Sequence, residues 1–168
     1  AGQADAIGTV KAINLGGGLG VPYGDDDEAF DTDALADALL ESRQQFPQYA
    51  VWMEPGRFMV AEAGVLLTHV SQVVDKLGLR RIGLDAGMNA LMRPALYQSK
   101  HRIVNLNRLS EANDRRVDVV GPICESTDVL ARAGYLPEAT ADHDVILIDT
   151  TGAYGLVMPH HYNIRCVP

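Results

Sequence analysis

The sequence predicts an α/β segment followed by a mainly antiparallel β domain, with the division near residue 62. Three observations carry this. The first sixty residues run strand, glycine turn, helix, strand, the order of a βα unit. After residue 62 the chain changes to β-branched runs separated by turn-rich pieces. The composition, 47% hydrophobic and 21% charged over 168 residues, is that of a globular chain long enough to bury a core without disulfide or metal.

The elements follow in order. Val10 to Leu15 is a short apolar run ending in Gly16-Gly17-Gly18-Leu19-Gly20. Asp31-Thr32-Asp33 offers N-caps for a helix whose Leu35, Leu39, Leu40, Arg43 and Phe46 recur at helical spacing until Pro47 stops it. Tyr49 to Met53 is continuously apolar, as in a parallel strand buried on both faces. These pieces suit either a β/α barrel or a doubly wound sheet. Beyond residue 62, strands are expected at Val65 to Val74, Ile82 to Asp85, His101 to Leu106, Val117 to Gly121, Val145 to Ile148 and Tyr162 to Arg165. One short helix is expected, over Ser126 to Ala133. Residues 1–62 and 63–168 are therefore read as two domains.

Charge and composition exclude several classes. Fourteen basic against 22 acidic residues leave a net charge of −8, the wrong sign for a phosphate-backbone partner. The run Asp25-Asp26-Asp27-Glu28 is read as a solvated loop. No stretch of about 18 apolar residues predicts a membrane span, and no basic-then-apolar leader is visible. Cys124 and Cys166 form no CxxC pair, and the five histidines lack metal-ligand spacing. A cytoplasmic protein without a structural metal is expected. The missing initiator Met and the abrupt end at Arg165-Cys166-Val167-Pro168 are read as cut ends of a longer protein.

Five stretches can carry chemistry. The glycine turn after the first strand is either a tight turn or an anion cradle of backbone N–H groups; it matches neither the Rossmann nor the P-loop pattern. Glu54-Pro55-Gly56-Arg57 ends the next strand, where Gly56 permits close backbone approach and Arg57 offers a fork for carboxylate or phosphate. Asp85-Ala86-Gly87-Met88-Asn89 precedes Arg93-Pro94-Ala95-Leu96-Tyr97, where Arg93 and Tyr97 either hold a substrate carboxylate or stack structurally. In Cys124-Glu125-Ser126-Thr127-Asp128 the thiol is either an acid/base group or a small buried hydrophobe. Tyr154, between Gly152-Ala153 and Gly155, suits packing on a flat ligand or burial with a satisfied hydroxyl.

In this order and together, these motifs resemble the fold-type III pyridoxal-phosphate-dependent decarboxylases, most closely their diaminopimelate decarboxylase branch. The resemblance covers nearly the whole chain. It implies the C-terminal part of a (β/α)8 barrel followed by an antiparallel, Greek-key-like β-barrel. It implies pyridoxal 5'-phosphate as cofactor, held by Gly18, by the turn Glu54, Pro55, Gly56 and Arg57, and by Tyr154. It assigns the distal carboxylate of an amino-acid substrate to Arg57, Arg93 and Tyr97 and the distal ammonium to Glu125, and counts Tyr154 among the substrate-binding residues. Cys124 would return a proton to the substrate in the partner subunit's site, so a homodimer with shared active sites is implied. Glu125-Ser126 after the cysteine, where ornithine-type enzymes carry aspartate and glycine, favours meso-2,6-diaminopimelate, giving L-lysine and carbon dioxide. The family's Schiff-base lysine lies on an early barrel strand that this chain does not contain, so the piece alone is expected to be inactive. Lys11 echoes that motif only faintly, and a fused upstream kinase is undecided by these residues. Other expectations are a decarboxylase for another diamino acid or carboxynorspermidine-like compound, and a non-catalytic interaction module.

Overall fold

The computed structural model describes residues 2–167, and the chain divides into two units: 1–22 with 28–59, and 23–27 with 60–168. The short segment Tyr23–Asp27 is thus grouped with the second unit. No sequence pattern announces that.

In the first unit a short helix α1 (Gly2–Ile7) precedes strand β1 (Ala12–Asn14), helix α2 (Thr32–Gln45), strand β2 (Ala50–Trp52) and helix α3 (Gly56–Val60). The N-cap of α2 is Asp31, whose side chain accepts the Ala34 N–H at 2.8 Å. Strands β1 and β2 pair in parallel, Ala12 opposite Ala50 and Asn14 opposite Trp52. One expectation fails. Strand β2 is not buried on both faces, because Trp52 is 61% exposed. Two strands and one long helix supply too few layers to cover both sides of the ribbon.

The second unit is a six-stranded mixed sheet in the order β5-β8-β3-β4-β6-β7. Its strands are β3 (Leu66–Lys76), β4 (Leu79–Leu84), β5 (Ile103–Asn105), β6 (Arg115–Val120), β7 (Val129–Leu136) and β8 (Val145–Ile148), with helix α4 (Arg93–Tyr97) between β4 and β5. All pairings are antiparallel except β4 with β6. Strand β3 is long because it serves two partners in succession. Leu66 to His69 pairs with β8, and Val70 to Lys76 pairs with β4, with an irregularity between Val70 and Gln72 at the handover. The edge strands β5 and β7 approach one another, curling the sheet toward closure.

The core is the inner face of this sheet. Val70, Ile82, Leu84, Leu91, Val117, Val119, Leu130, Leu136, Ile146 and Ile148 form one buried cluster. Alternation places them there: Val117 and Val119 in β6, and Ile146 and Ile148 in β8, are two residues apart and share a face.

Two expected elements are corrected. Ser126 to Ala133 is no helix; Val129 onward is β7, held by pairing to β6. Tyr162 to Arg165 is no strand; Tyr162–Ile164 is a 3-10 turn in which Asn163 and Ile164 have φ of 57° and 58°. Two consecutive left-handed residues turn the backbone off a pleated path.

Candidate functional site

In the first unit the parallel register puts the C-terminal ends of β1 and β2 side by side, and both ends open into turns. The Glu54 N–H donates to the Gly16 carbonyl at 2.7 Å, and the Leu15 N–H to the Trp52 carbonyl at 2.9 Å. Asn14 staples the pair: its Nδ2 donates to Glu54 Oε1 at 2.5 Å, while its Oδ1 accepts the Gly16 N–H at 2.8 Å. A side chain at Gly17 would put its Cβ 2.5 Å from the Glu54 carbonyl oxygen, so only glycine fits there. Gly18, at φ +85°, faces open space. Among the described residues the N–H groups of Gly17 and Gly18 enter no hydrogen bond. The Gly56 N–H turns back on the Glu54 carbonyl at 2.8 Å. Gly18 and the Glu54–Arg57 turn are therefore brought together, with Asn14 as the linking side chain.

The second unit holds a buried cationic cluster. Arg93 on α4 is only 5% exposed, yet it forms no ion pair with a carboxylate among the described residues. Its guanidinium carbon lies 4.6 Å from the centroid of the Tyr23 ring and 6.0 Å from that of Tyr154. Its Nη1 is 3.4 Å from His101 Nε2, and His101 Nδ1 is 2.9 Å from the Asp149 carbonyl oxygen. The Tyr23 hydroxyl is buried and has no hydrogen-bond partner among the described residues. A buried guanidinium without an anion and a buried hydroxyl without a partner form an arrangement that an anionic ligand completes.

Tyr23 reaches this cluster through the acidic loop. Asp27 Oδ2 accepts the Tyr23 and Gly24 N–H groups at 2.8 and 2.9 Å, and these two bonds hold its carboxyl below the usual carboxylate range. Tyr154 itself has φ of 67°, an uncommon conformation for a residue with a side chain. The structure thus joins Arg93 and Tyr154. Tyr97, four residues on in α4, is instead 64% exposed.

Cys124 and Glu125 lie on the turn between β6 and β7, and both are exposed. Exposure removes the reading of Cys124 as a buried hydrophobe. Tyr162 Oη donates to Glu125 Oε1 at 2.5 Å, and that bond raises the phenol above its ordinary value. The turn is anchored from beneath by Asp128, which is 2% exposed. Its Oδ1 accepts the Met88 N–H at 2.6 Å and its Oδ2 the Ile123 N–H at 2.7 Å. The Asp85 turn is fixed separately. Burial opposes the Asp85 charge, but hydrogen bonds from the Thr68 hydroxyl and the His69 N–H outweigh it and lower the carboxyl.

Sequence reasoning missed Asn14, Tyr23, His101 and Tyr162. Tyr23 and His101 are 70 and 8 residues from Arg93 in the chain, and only the fold brings both to it. Among the described residues no cluster of three or more His, Cys, Asp or Glu could hold a metal, and no helix is long and apolar enough to cross a membrane.

Comparison with known proteins shows the family. Residues 24–152 match the family described as pyridoxal-dependent decarboxylase, C-terminal sheet domain. The chain is 39% identical over 160 residues to the diaminopimelate decarboxylase of Bacillus subtilis, covering 91% of this chain and 36% of that protein. It is 40% identical over 173 aligned residues to the Escherichia coli K12 enzyme of the same name, covering 93% and 41%. The crystal structure of the Methanocaldococcus jannaschii diaminopimelate decarboxylase in complex with L-lysine superposes with a TM-score of 0.86 at 35% identity, over 99% of this chain and 39% of that one. The chain therefore spans well under half the length of these relatives. It belongs to the pyridoxal-dependent decarboxylases, as their C-terminal sheet domain.

Proposed function

We propose that the full-length protein containing this chain is a pyridoxal-phosphate-dependent decarboxylase that converts meso-2,6-diaminopimelate to L-lysine and carbon dioxide. The observation that carries the reading is Arg93, a buried cation without a carboxylate partner, beside the Tyr154 ring. The similarity to diaminopimelate decarboxylases over more than nine-tenths of the chain supports it.

The residues present fit the cofactor. The turns after β1 and β2 would take its phosphate through the Gly17 and Gly18 N–H groups and at the turn Glu54, Pro55, Gly56 and Arg57, where Arg57 is the donor, since the Glu54 and Gly56 N–H groups are spent within the turns and Pro55 has none. Glycine is required at Gly17 because a Cβ would strike the Glu54 carbonyl. Tyr154 adds a contact at the cofactor. When bound, pyridoxal phosphate supplies a ring that accepts the electron pair left when carbon dioxide departs. On this reading β1, α2 and β2 are a piece of a (β/α)8 barrel, and the six-stranded sheet is the Greek-key-like β-barrel that follows it.

The chain's own side chains select and finish the reaction. The distal carboxylate of the substrate is held by Arg93, with Arg57 and Tyr97, and the distal ammonium by Glu125. A substrate lacking either group leaves a charge desolvated and unpaired, which is a stronger discrimination than shape alone. Cys124 Sγ holds the proton returned to the substrate carbon. Cys124 and Glu125 stand exposed on their turn, as residues serving a neighbouring subunit must. A homodimer with shared active sites, as the family resemblance implies, is part of this proposal.

In the full-length enzyme, Cys124→Ala should lower kcat for diaminopimelate by about a hundredfold or more, the loss of one proton-transfer group. Undiminished kcat would remove Cys124 from the reaction.

A further inference from the structure

His101 backs the Arg93 guanidinium in a single tautomer. The Asp149 carbonyl, 2.9 Å from Nδ1, can only accept, so Nδ1 carries the hydrogen. In the neutral ring Nε2 is then a lone pair, and it faces the Arg93 Nη1 donor at 3.4 Å. Burial, joined by the Arg93 charge and opposed by the Asp149 carbonyl, pushes the imidazole below its ordinary value and keeps it neutral. The Tyr23 ring closes the cluster, edge-on to His101 at 5.0 Å and facing the guanidinium at 4.6 Å. One guanidinium edge is thus spent on His101 and one face on Tyr23, and the other donors remain for a ligand.

A free arginine side chain loses rotamer entropy when a ligand fixes it. Fixing it within the folded protein removes that cost from binding. We propose that His101 is a positioning residue: its Nε2 lone pair holds Arg93 in the orientation in which the remaining N–H donors meet a substrate carboxylate. This rests on Arg93 being the carboxylate seat. A phenyl ring would fill the same space without the lone pair, which separates positioning from packing.

The test is steady-state kinetics of the full-length, cofactor-loaded enzyme with meso-diaminopimelate. His101→Phe removes both bonds. His101→Asn can keep the Asp149 bond but does not reach Arg93, and His101→Gln places an amide oxygen near the Nε2 position. Phe and Asn should raise KM about tenfold with kcat within about twofold, and Gln should recover most of the loss. Arg93→Gln should raise KM alone, and adding His101→Phe to it should raise KM no further, because the two act as a unit. Asn restoring KM as well as Gln would reduce His101 to a prop for the Asp149 loop and overturn the proposal. Unchanged KM in His101→Phe, with KM raised in Arg93→Gln, would overturn it while leaving the carboxylate seat standing. Unchanged KM in Arg93→Gln would remove the seat, and the proposal with it. If His101→Phe does not fold, the comparison of Asn with Gln decides alone.

Discussion

The Met88 N–H donates to Asp128 Oδ1 at 2.6 Å, tying the turn that carries Cys124 and Glu125 to the loop after β4, forty residues earlier. The Ile123 N–H takes the other carboxyl oxygen at 2.7 Å. Gly87 and Gly121 leave the space this needs, and a Cβ on Gly87 would lie 2.5 Å from Asp128 Oδ1.

Asp128→Asn should therefore destabilise the protein by about 2 kcal/mol, because the amide keeps one acceptor and turns a buried NH2 toward an N–H donor. Thermal unfolding of the intact protein measures this. The same substitution should lower kcat through the loosened turn, and unchanged unfolding and kcat would show that the anchor contributes little.

Glu125 and Tyr162 make a linked pair on the exposed face. The hydrogen bond to Glu125 raises the Tyr162 phenol, so replacing Glu125 with glutamine should bring its ionisation down toward the ordinary tyrosine value. NMR titration of ring-labelled tyrosine follows the one resonance concerned. No movement of that titration on Glu125→Gln would mean that the bond does not persist in solution.

Asp144 links stability to acid. It is 7% exposed and accepts from Asn105 Nδ2 at 2.9 Å, the Ala141 N–H at 3.0 Å and Arg108 Nε at 3.4 Å. Burial raises its carboxyl, but these partners together lower it below the usual carboxylate range. The folded value thus lies under the unfolded one. The stabilisation is present above about pH 4 and is lost as pH falls through the folded value. The unfolding midpoint of Asp144→Asn should fall below that of the unchanged protein at pH 7, and the gap should narrow toward pH 2. A gap independent of pH would contradict this.

Parts of this were legible in the residues for physical reasons. Strand β8 shows its alternation openly, since Ile146 and Ile148 point inward between half-buried neighbours. The paired turns at Gly16–Gly18 and Glu54–Arg57 were legible as glycine-bearing ends of two apolar runs, although their stapling by Asn14 was not. Strand β7 was misread because Leu130, Ala131 and Arg132 favour helices in isolation, whereas pairing to β6 and the Ala133 N–H bond to Asp118 Oδ1 at 2.9 Å impose a strand. The Arg93 cluster was half legible. Arg93 and Tyr154 sit in recognisable motifs, but Tyr23 arrives on an acidic loop that looks merely solvated, and His101 is one of five unremarkable histidines. Long-range convergence leaves no local pattern.

The most direct measurement is carbon dioxide release by the full-length protein with added pyridoxal phosphate, offered meso-diaminopimelate, lysine and ornithine in parallel. Turnover should be confined to meso-diaminopimelate, the one compound of the three carrying a second carboxylate for Arg93. Equal release from lysine or ornithine, or none from diaminopimelate, would contradict the assignment.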